Sequence, residues 1–537
     1  MKVHRKQAAC SCFIALLALA GTTLAAVTRV RFDVVDAKDQ TPLAASVTLT
    51  DDQGHHLEIE GEHGHIAYLG KRWCYVDKTF ALNTDRPRLI VEVRRGLETL
   101  PLKQTIEIVP EKSQNVTLAL ERWIDLKAEG YLSGDSHIHY MSTRDVMLQM
   151  RAEDLNVANL LVAFSKDAGP FTGQLDPESV PGHWLYVGQE WFDWQMGHTV
   201  LMRLKSLIQP VGRTGGDHWE RHQPHMLLAP ALREARQQGA VVAMAHWENL
   251  SGAESPIDIA LGLIDAVELL TYDDPTLLPA HWDQWQNSGM SIAEFPPLRG
   301  LDLYYQYLNV GFRLPIAAGT DKMGDNIPVG SNRLYARVGE HAGYDGWLEG
   351  LKAGNGFITN GPILRFDVEG HVPGEVVPIE QPHRARARVS VRSLYPFPTL
   401  EIVMNGRVVA SKWTAKLAEL ATEKDWETPP NGVFEMELST EVDLDKSCWL
   451  AARVAEDTAW KRRIMPRGLT VFAHTNPVYF SVKGQKLRDP HAVRYLETYL
   501  RGTMHFLRNG ARFEKAAERE EALRLAEEAL RIIQRDH

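Results

Sequence analysis

Two histidines separated by one residue, His137 and His139 in Gly134-Asp135-Ser136-His137-Ile138-His139, raise the prospect of a metal centre. On an extended strand residues i and i+2 share a face, so the imidazoles stand side by side, an arrangement that suits a divalent cation. The pair alone is also what two hydrogen-bonded core or surface histidines look like. Further polar residues then end or follow apolar runs: Glu190 after Leu185-Tyr186-Val187-Gly188, and His198 within Gly197-His198-Thr199-Val200-Leu201. His246 follows Ala240-Val241-Val242-Ala243-Met244-Ala245, and Asp321 follows Leu314-Pro315-Ile316-Ala317-Ala318-Gly319-Thr320. Four histidines and two carboxylates form a borderline-to-hard donor set that suits zinc, manganese or iron without choosing between them. A cation held there lowers the pKa of a coordinated water and polarises a scissile carbonyl or phosphoryl group, so hydrolysis needs no protein nucleophile.

Asp135 and Lys322 are the expected catalytic side chains around this set, with Asn249, Glu268 and Arg333 as further groups that orient ligands or touch substrate. Trp184, Trp191, Trp194 and Trp247 lie close in sequence to the ligands, as the wall of an apolar pocket or simply as core. The string Asp217-His218-Trp219-Glu220-Arg221-His222-Gln223-Pro224-His225 has the composition of a metal site but follows Gly215-Gly216 ahead of a helix. With no strand to fix its geometry, it reads as a solvated or lid loop.

These residues need a scaffold. From Gly130 to about Pro362 short apolar runs alternate with helical stretches such as Leu227 to Gln238, the pattern of a βα-repeating barrel with its chemistry at strand ends. Before it, Val30, Phe32 and Val34 alternate with Arg29, Arg31 and Asp33, and turn clusters such as Asp51-Asp52-Gln53-Gly54 punctuate the runs; this predicts a small β-sandwich. After Gly361, period-two runs return (Ala385, Ala387, Val389, Val391) with an Asn405-Gly406 hairpin signal. From Arg488 the chain reads as helical, with Leu523, Ala526, Leu530 and Ile533 on one face. The expected layout is a leader over 1–26, an N-terminal β-sandwich over 27–128, a hydrolase barrel over 129–364, a C-terminal β-domain over 365–486 and a helical tail over 487–537.

Gly134 to His139, Gly188-Gln189-Glu190, Ala245-His246-Trp247 and Gly319-Thr320-Asp321 together resemble the polymerase-and-histidinol-phosphatase (PHP) superfamily, and within it the CehA/McbA metallohydrolases that include carbaryl hydrolase. The resemblance covers most of the chain, from Arg122-Trp123-Ile124-Asp125-Leu126 through the barrel to Gly356-Phe357-Ile358-Thr359-Asn360-Gly361-Pro362. It implies an α/β fold with a distorted (βα)7 PHP-type barrel flanked by β-sandwich-like domains. It also implies that His137, His139, Glu190 and Asp321 hold one metal, with Glu190 bridging to a second held by His198 and His246. The chain departs from the family at Asp321-Lys322-Met323, where an Asp-x-His is usual, and over Val162 to Asp167, which lacks the histidine of trinuclear members. One or two divalent ions are therefore expected, acting on a small ester, carbamate, amide or phosphoester.

The 537 residues exceed one ordinary core, so about two to four domains are expected. A net charge of −10, spread along the chain, argues against a nucleic-acid partner and for a small-molecule substrate. Lys2, Arg5 and Lys6, then an apolar run from Phe13 to Leu19 and small residues near Ala25, read as a secretory leader, which places the chain in the periplasm or outside the cell. That run is too short to cross about 30 Å of hydrocarbon, so no stable membrane insertion is expected. Cys10 and Cys12 fall in the leader, and Cys74 and Cys448 are too few for a disulfide framework, with pairing or two free thiols both open. A homo-oligomer is also left open. A second reading, from another class, is an exported glycan- or envelope-binding protein whose catalytic site has decayed at Asp321-Lys322-Met323.

Overall fold

The computed structural model describes residues 27–68, 70–110, 112–212, 224–247, 252–272, 275–276, 298–324, 327–339, 342–413, 430–455, 465 and 469–535. The expected leader, Asn249 and positions 217–223 of the histidine-rich string lie outside the described residues. The fold is α/β with strand predominating, around a nearly closed barrel-like sheet.

Strands β1 (Thr28–Asp36), β2 (Ala44–Asp51), β3 (Glu60–Tyr68), β4 (Lys71–Thr84), β5 (Arg88–Arg94), β6 (Leu102–Glu107) and β7 (Gln114–Leu120) form the N-terminal sheet. Val30, Phe32 and Val34 face inward while Arg29 and Arg31 face solvent, as their alternation requires. Hydrogen bonding joins all seven strands in one sheet, where two stacked sheets were expected. Its edge strands β6 and β7 come into contact, so the sheet curls over its own core, with Phe32 and Phe80 stacked at 4.7 Å.

Seven strands then run side by side: β8 (Tyr131–Ile138), β9 (Val157–Val162), β10 (Trp184–Asp193), β11 (Gly197–Met202), β12 (Val241–Met244), β13 (Ala266–Leu270) and β14 (Ile316–Ala318). The ring is drawn together where Ile138 pairs in parallel with Lys322, the His139 N–H donating to the Lys322 carbonyl at 2.9 Å. Helices α1 (Thr143–Ala152), α2 (Leu228–Gln237), α3 (Ser255–Ala260) and α4 (Gly300–Asn309) precede β9, β12, β13 and β14. Strict βα alternation fails twice: only a 3-10 turn, Ser165–Asp167, separates β9 from β10, and no helix separates β10 from β11. A short turn reverses the chain after β10, and β11 lies antiparallel to both β10 and β12.

The barrel sheet does not end at the expected domain boundary. β15 (Arg333–Arg337) and β16 (Gly356–Thr359), separated by α5 (Tyr344–Ala353), extend it from β8. Seven further strands of the C-terminal region are β17 (Ile363–Val368), β18 (Val376–Ile379), β19 (His383–Ser393), β20 (Thr399–Met404), β21 (Arg407–Trp413), β22 (Phe434–Leu444) and β23 (Cys448–Val454). Two more, β24 (Ala473–Thr475) and β25 (Val478–Val482), complete it, and β24 pairs with β16, so hydrogen bonding runs unbroken from barrel to C-terminal region. β17, β19 and β22 make a separate three-stranded sheet, and Phe366 and Val389 from it share a core with Ile402 and Leu450.

Helices α6 (Pro490–Asn509) and α7 (Ala516–Gln534) pack on α3 and α4. On α7 the buried stripe is Ala522, Leu525, Ala526, Ala529 and Ile533, with Leu523 and Leu530 at its edge. The stripe is thus centred about one residue away from the expected face. Cys74 and Cys448 are both buried and free. Among the described residues no helix is long and apolar enough to cross a membrane.

Candidate metal centre

All six expected ligands meet at one end of the barrel. His137 and His139 come from the end of β8, Glu190 from β10, His198 from β11, His246 from just beyond β12 and Asp321 from just beyond β14. Three overlapping groups can each hold a metal ion: His137, His139 and Glu190; His137, His246 and Asp321; and Glu190, His198 and His246. His137 Nε2 lies 3.8 Å from Glu190 Oε1 and 3.5 Å from Asp321 Oδ1. His139 Nε2 lies 3.2 Å from Glu190 Oε2 and 3.7 Å from Asp321 Oδ1. His198 Nδ1 stands 2.9 Å from Glu190 Oε1, and His246 Nε2 stands 3.4 Å from Asp321 Oδ2. The hairpin after β10 explains His198: reversal puts its strand back alongside Glu190, so two residues eight apart share one site.

The tautomers of the leading pair follow from their outer contacts. His137 Nδ1 is 2.9 Å from Glu268 Oε2, and His139 Nδ1 is 3.2 Å from the Leu161 carbonyl. Both partners only accept, so each Nδ1 carries the proton and each Nε2 turns a lone pair inward. Those two Nε2 atoms are 2.9 Å apart. Two facing lone pairs at that distance repel unless a proton or a cation lies between them. His246 Nε2 is likewise buried without a hydrogen-bond partner. The donor set therefore fits a cation, and the residues that would hold it are the six named here.

Burial alone would raise the Glu190 carboxyl, but the imidazoles of His137, His139 and His198 set against it hold it well below the usual carboxylate range. Asp321 is held down in the same way, burial being outweighed by the charges of His137 and His246. Conversely, His137 is raised well above the ordinary imidazole range, its burial outweighed by Glu268 and Asp321. The carboxylates stay ionised and their field favours positive charge among the imidazoles, the field that a bound cation would meet.

Backbone detail aims these groups. The pairing of β8 with β9 shifts by one residue between Asp135 and Ile138, a bulge that turns both Ser136 and His137 towards Glu268. Gly319 is required because a Cβ there would fall 2.5 Å from the His137 Cβ. Gly134 is required because a Cβ would lie 2.3 Å from the Trp347 indole. His246 and Asp321 both adopt left-handed backbone, at φ +49° and +44°.

Asp135 and Lys322, the expected catalytic side chains, both bond groups of the segments beside the cluster. Asp135 accepts from His137 N at 3.0 Å, Thr320 N at 2.9 Å, Thr320 Oγ1 at 2.8 Å and Gly330 N at 2.8 Å. It thereby ties the end of β14 to β8; burial pushes its carboxyl up to about 6 against those four hydrogen bonds. Lys322 Nζ donates to the carbonyls of Gly324 and Ile327, each at 2.7 Å. Arg333 bonds the carbonyls of Gly330 and Glu153 and also belongs to the scaffold. Of the expected orienting groups Glu268 alone touches a ligand among the described residues. Ser136 and Thr320 are supports that the sequence reading did not single out, though both sit inside its motifs.

Trp247 and Trp191 are core residues, Trp184 is half-buried elsewhere, and Trp194 is exposed with its ring against His198 at 5.3 Å. His225, from the histidine-rich string, pairs with Asp193 at 3.1 Å and packs on Phe506, away from the six ligands. No protein-family model matches the chain, and no curated protein is significantly similar to it.

Proposed function

We propose that the chain is an exported metal-dependent hydrolase, acting with metal-activated water on a small ester, carbamate, amide or phosphoester. In this reading the barrel is of the distorted (βα)7 PHP type that the sequence motifs resemble. One observation carries it: two inward imidazole nitrogens 2.9 Å apart, each with its proton fixed on the far side, within 4 Å of two ionised carboxylates. When bound, the cation supplies Lewis acidity, polarising the scissile group and bringing a water towards ionisation at neutral pH. The protein's own part is positional. Glu268 and the Leu161 carbonyl fix the ring orientation of His137 and His139, Asp135 clamps the two strands that carry His137 and Asp321, and burial keeps bulk water from the quartet. Hydrolysis adds water across the scissile bond and passes one proton to the leaving group.

Metal analysis of the purified protein beside His137→Ala and Asp321→Asn, with turnover of aryl esters, carbamates and phosphoesters, tests this. Stoichiometric metal in the wild type, lost from both variants together with activity, is the expected result. A metal-free wild type that still binds a glycan or envelope ligand would sink the reading in favour of a binding protein.

A further inference from the structure

The connection from β8 to α1 turns on a residue that sterics disfavour. Among the described residues other than glycine, three at the site take a positive φ: His246, Asp321 and Tyr140, the last at +53°. The first two are ligands; Tyr140 is not. Asn, Asp and His enter this left-handed region with some ease, whereas a bulky side chain there is an outlier with a steric cost. β8 ends at Ile138 and Ser142 caps α1, so the chain must turn within His139, Tyr140 and Met141. Glycine would make that turn without strain. Strained backbone of this kind gathers at active sites, where the side chain rather than the fold requires it.

The side chain itself is placed for contact with a ligand. Tyr140 is 50% exposed, and its ring lies 5.3 Å from that of the ligand His139 at a tilt of 31°. The charges of Asp167, Glu190 and Asp321 all act on its phenol, so it stands beside both carboxylates of the ligand set. Among the described residues nothing hydrogen-bonds its hydroxyl. Tyrosines that build the barrel behave otherwise: Tyr186, Tyr304 and Tyr344 are buried and donate to Leu204 O, Leu314 O and Asn159 Oδ1 at 2.7, 3.0 and 2.6 Å. Donors are what the site needs. Glu190 and Asp321 bring negative charge, His137 and His139 turn lone pairs inward, and Lys322 Nζ donates to the carbonyls of Gly324 and Ile327.

We propose that Tyr140 is a catalytic hydrogen-bond donor of the metal centre, its hydroxyl meeting the scissile carbonyl or phosphoryl oxygen and stabilising the negative charge that gathers there as water adds. The inference rests on the hydrolase reading. A donor already in place for charge that develops only in the transition state lowers the barrier without tightening the ground state. The hydroxyl keeps its proton throughout, so the hydrolysis balances without it.

The experiment compares the full-length protein with its Tyr140→Phe and Tyr140→Gly variants on p-nitrophenyl acetate, p-nitrophenyl N-methylcarbamate and p-nitrophenyl phosphate. Metal affinity by chelator competition and the Tm of the metal-free protein are read beside activity. Phenylalanine keeps the ring on His139 and the strained φ and removes only the oxygen. Its kcat should fall about 100-fold, the loss on removing one such donor, with KM within about threefold and with metal affinity and metal-free Tm as in the wild type. Glycine should lose at least as much activity while its metal-free Tm is no lower than that of the wild type, because φ +53° is open to it. A Phe variant whose kcat stays within about threefold, or whose metal affinity falls together with kcat, overturns the donor role. A metal-free Gly variant that melts below the wild type overturns it as well, because the tyrosine is then kept for the fold. A wild type that hydrolyses none of the three substrates overturns the parent reading and the donor with it, and is told apart by that inactivity.

Discussion

Replacing Glu268 by glutamine tests the link between the buried carboxylate on β13 and the cation site most directly. Glu268 Oε2 accepts from His137 Nδ1 at 2.9 Å, its other oxygen accepts from Ser136, and the residue is wholly buried. Gln keeps the shape and one acceptor but removes the charge. A hydrogen bond to a charged acceptor is worth about 1.5–3 kcal/mol and a neutral one about 0.5–1.5, so the exchange weakens the hold on the His137 tautomer by about 1–1.5 kcal/mol. The amide can also turn its NH2 towards Nδ1, which would move the proton to Nε2 and remove a ligand outright. Metal affinity should therefore fall by about 10- to 100-fold, the range found when partners of metal-bound histidines are lost. Competition against a chromophoric chelator measures it. Ser136→Ala, which removes the other partner of Glu268 and the bond to the Ala318 carbonyl but leaves the Glu268 charge on His137, should change affinity far less. An affinity within about twofold of wild type in a folded Glu268→Gln protein would refute the orienting role.

Gly319→Ala should destabilise the fold by about 1–3 kcal/mol and reduce metal stoichiometry, because the new Cβ would lie 2.5 Å from the His137 Cβ and 2.9 Å from its backbone nitrogen; urea unfolding with metal analysis checks both. Removing metal with a chelator should lower stability by about 4 kcal/mol when the free ion had stood a thousandfold above its Kd, read as a Tm that climbs with added metal. Behind the hairpin that carries His198, burial pushes Glu254 from its ordinary 4.5 up to about 7, helped by the nearby charge of Asp193. The folded chain then holds a proton that the unfolded chain has lost, so stability falls as pH rises from about 4.5 to 7, by up to about 1.4 kcal/mol per unit. In Glu254→Gln that slope should be shallower in a series of urea melts across the window, the remainder coming from other raised carboxyls such as Asp135 and Glu153.

What could be read from the sequence was the delivery of ligands, because a polar side chain that closes a buried apolar strand is costly unless a partner waits at the strand end. Glu190, His246 and Asp321 stood out on that ground, and His137 with His139 through period two. What could not be read was anything set by pairing. Register decides that Ser136 turns with His137 towards Glu268, and a bulge leaves no compositional trace. The reversal at β10–β11 is carried by a short turn around Gln195 and Met196, whose backbone N–H groups bond Asp193; in composition it resembles a continuing strand pattern. Asp135 and Lys322 show the same limit. Proximity in sequence to a ligand says nothing about which way a side chain leaves the strand, and both leave towards carbonyls and N–H groups of neighbouring segments. The unbroken sheet from β16 to β24 was equally hidden, since it joins residues more than a hundred positions apart.

The strained backbones locate where the fold yields to the site. His246 and Asp321 each sit at positive φ, a conformation costing about 1–3 kcal/mol that survives only where surroundings over-determine it. Asp321 is fixed between Gly319, pressed against His137, and the Lys322 carbonyl that receives the His139 N–H. Asp135 closes the same loop by holding Thr320 N and Oγ1. The strain at Asp321 is thus set by contacts with β8, the strand that carries the two histidines. His246, beyond β12, and Asp321, beyond β14, meet at one point with the backbone left-handed at each, and beside Asp321 the hydrogen bonds that hold the turn come from Asp135.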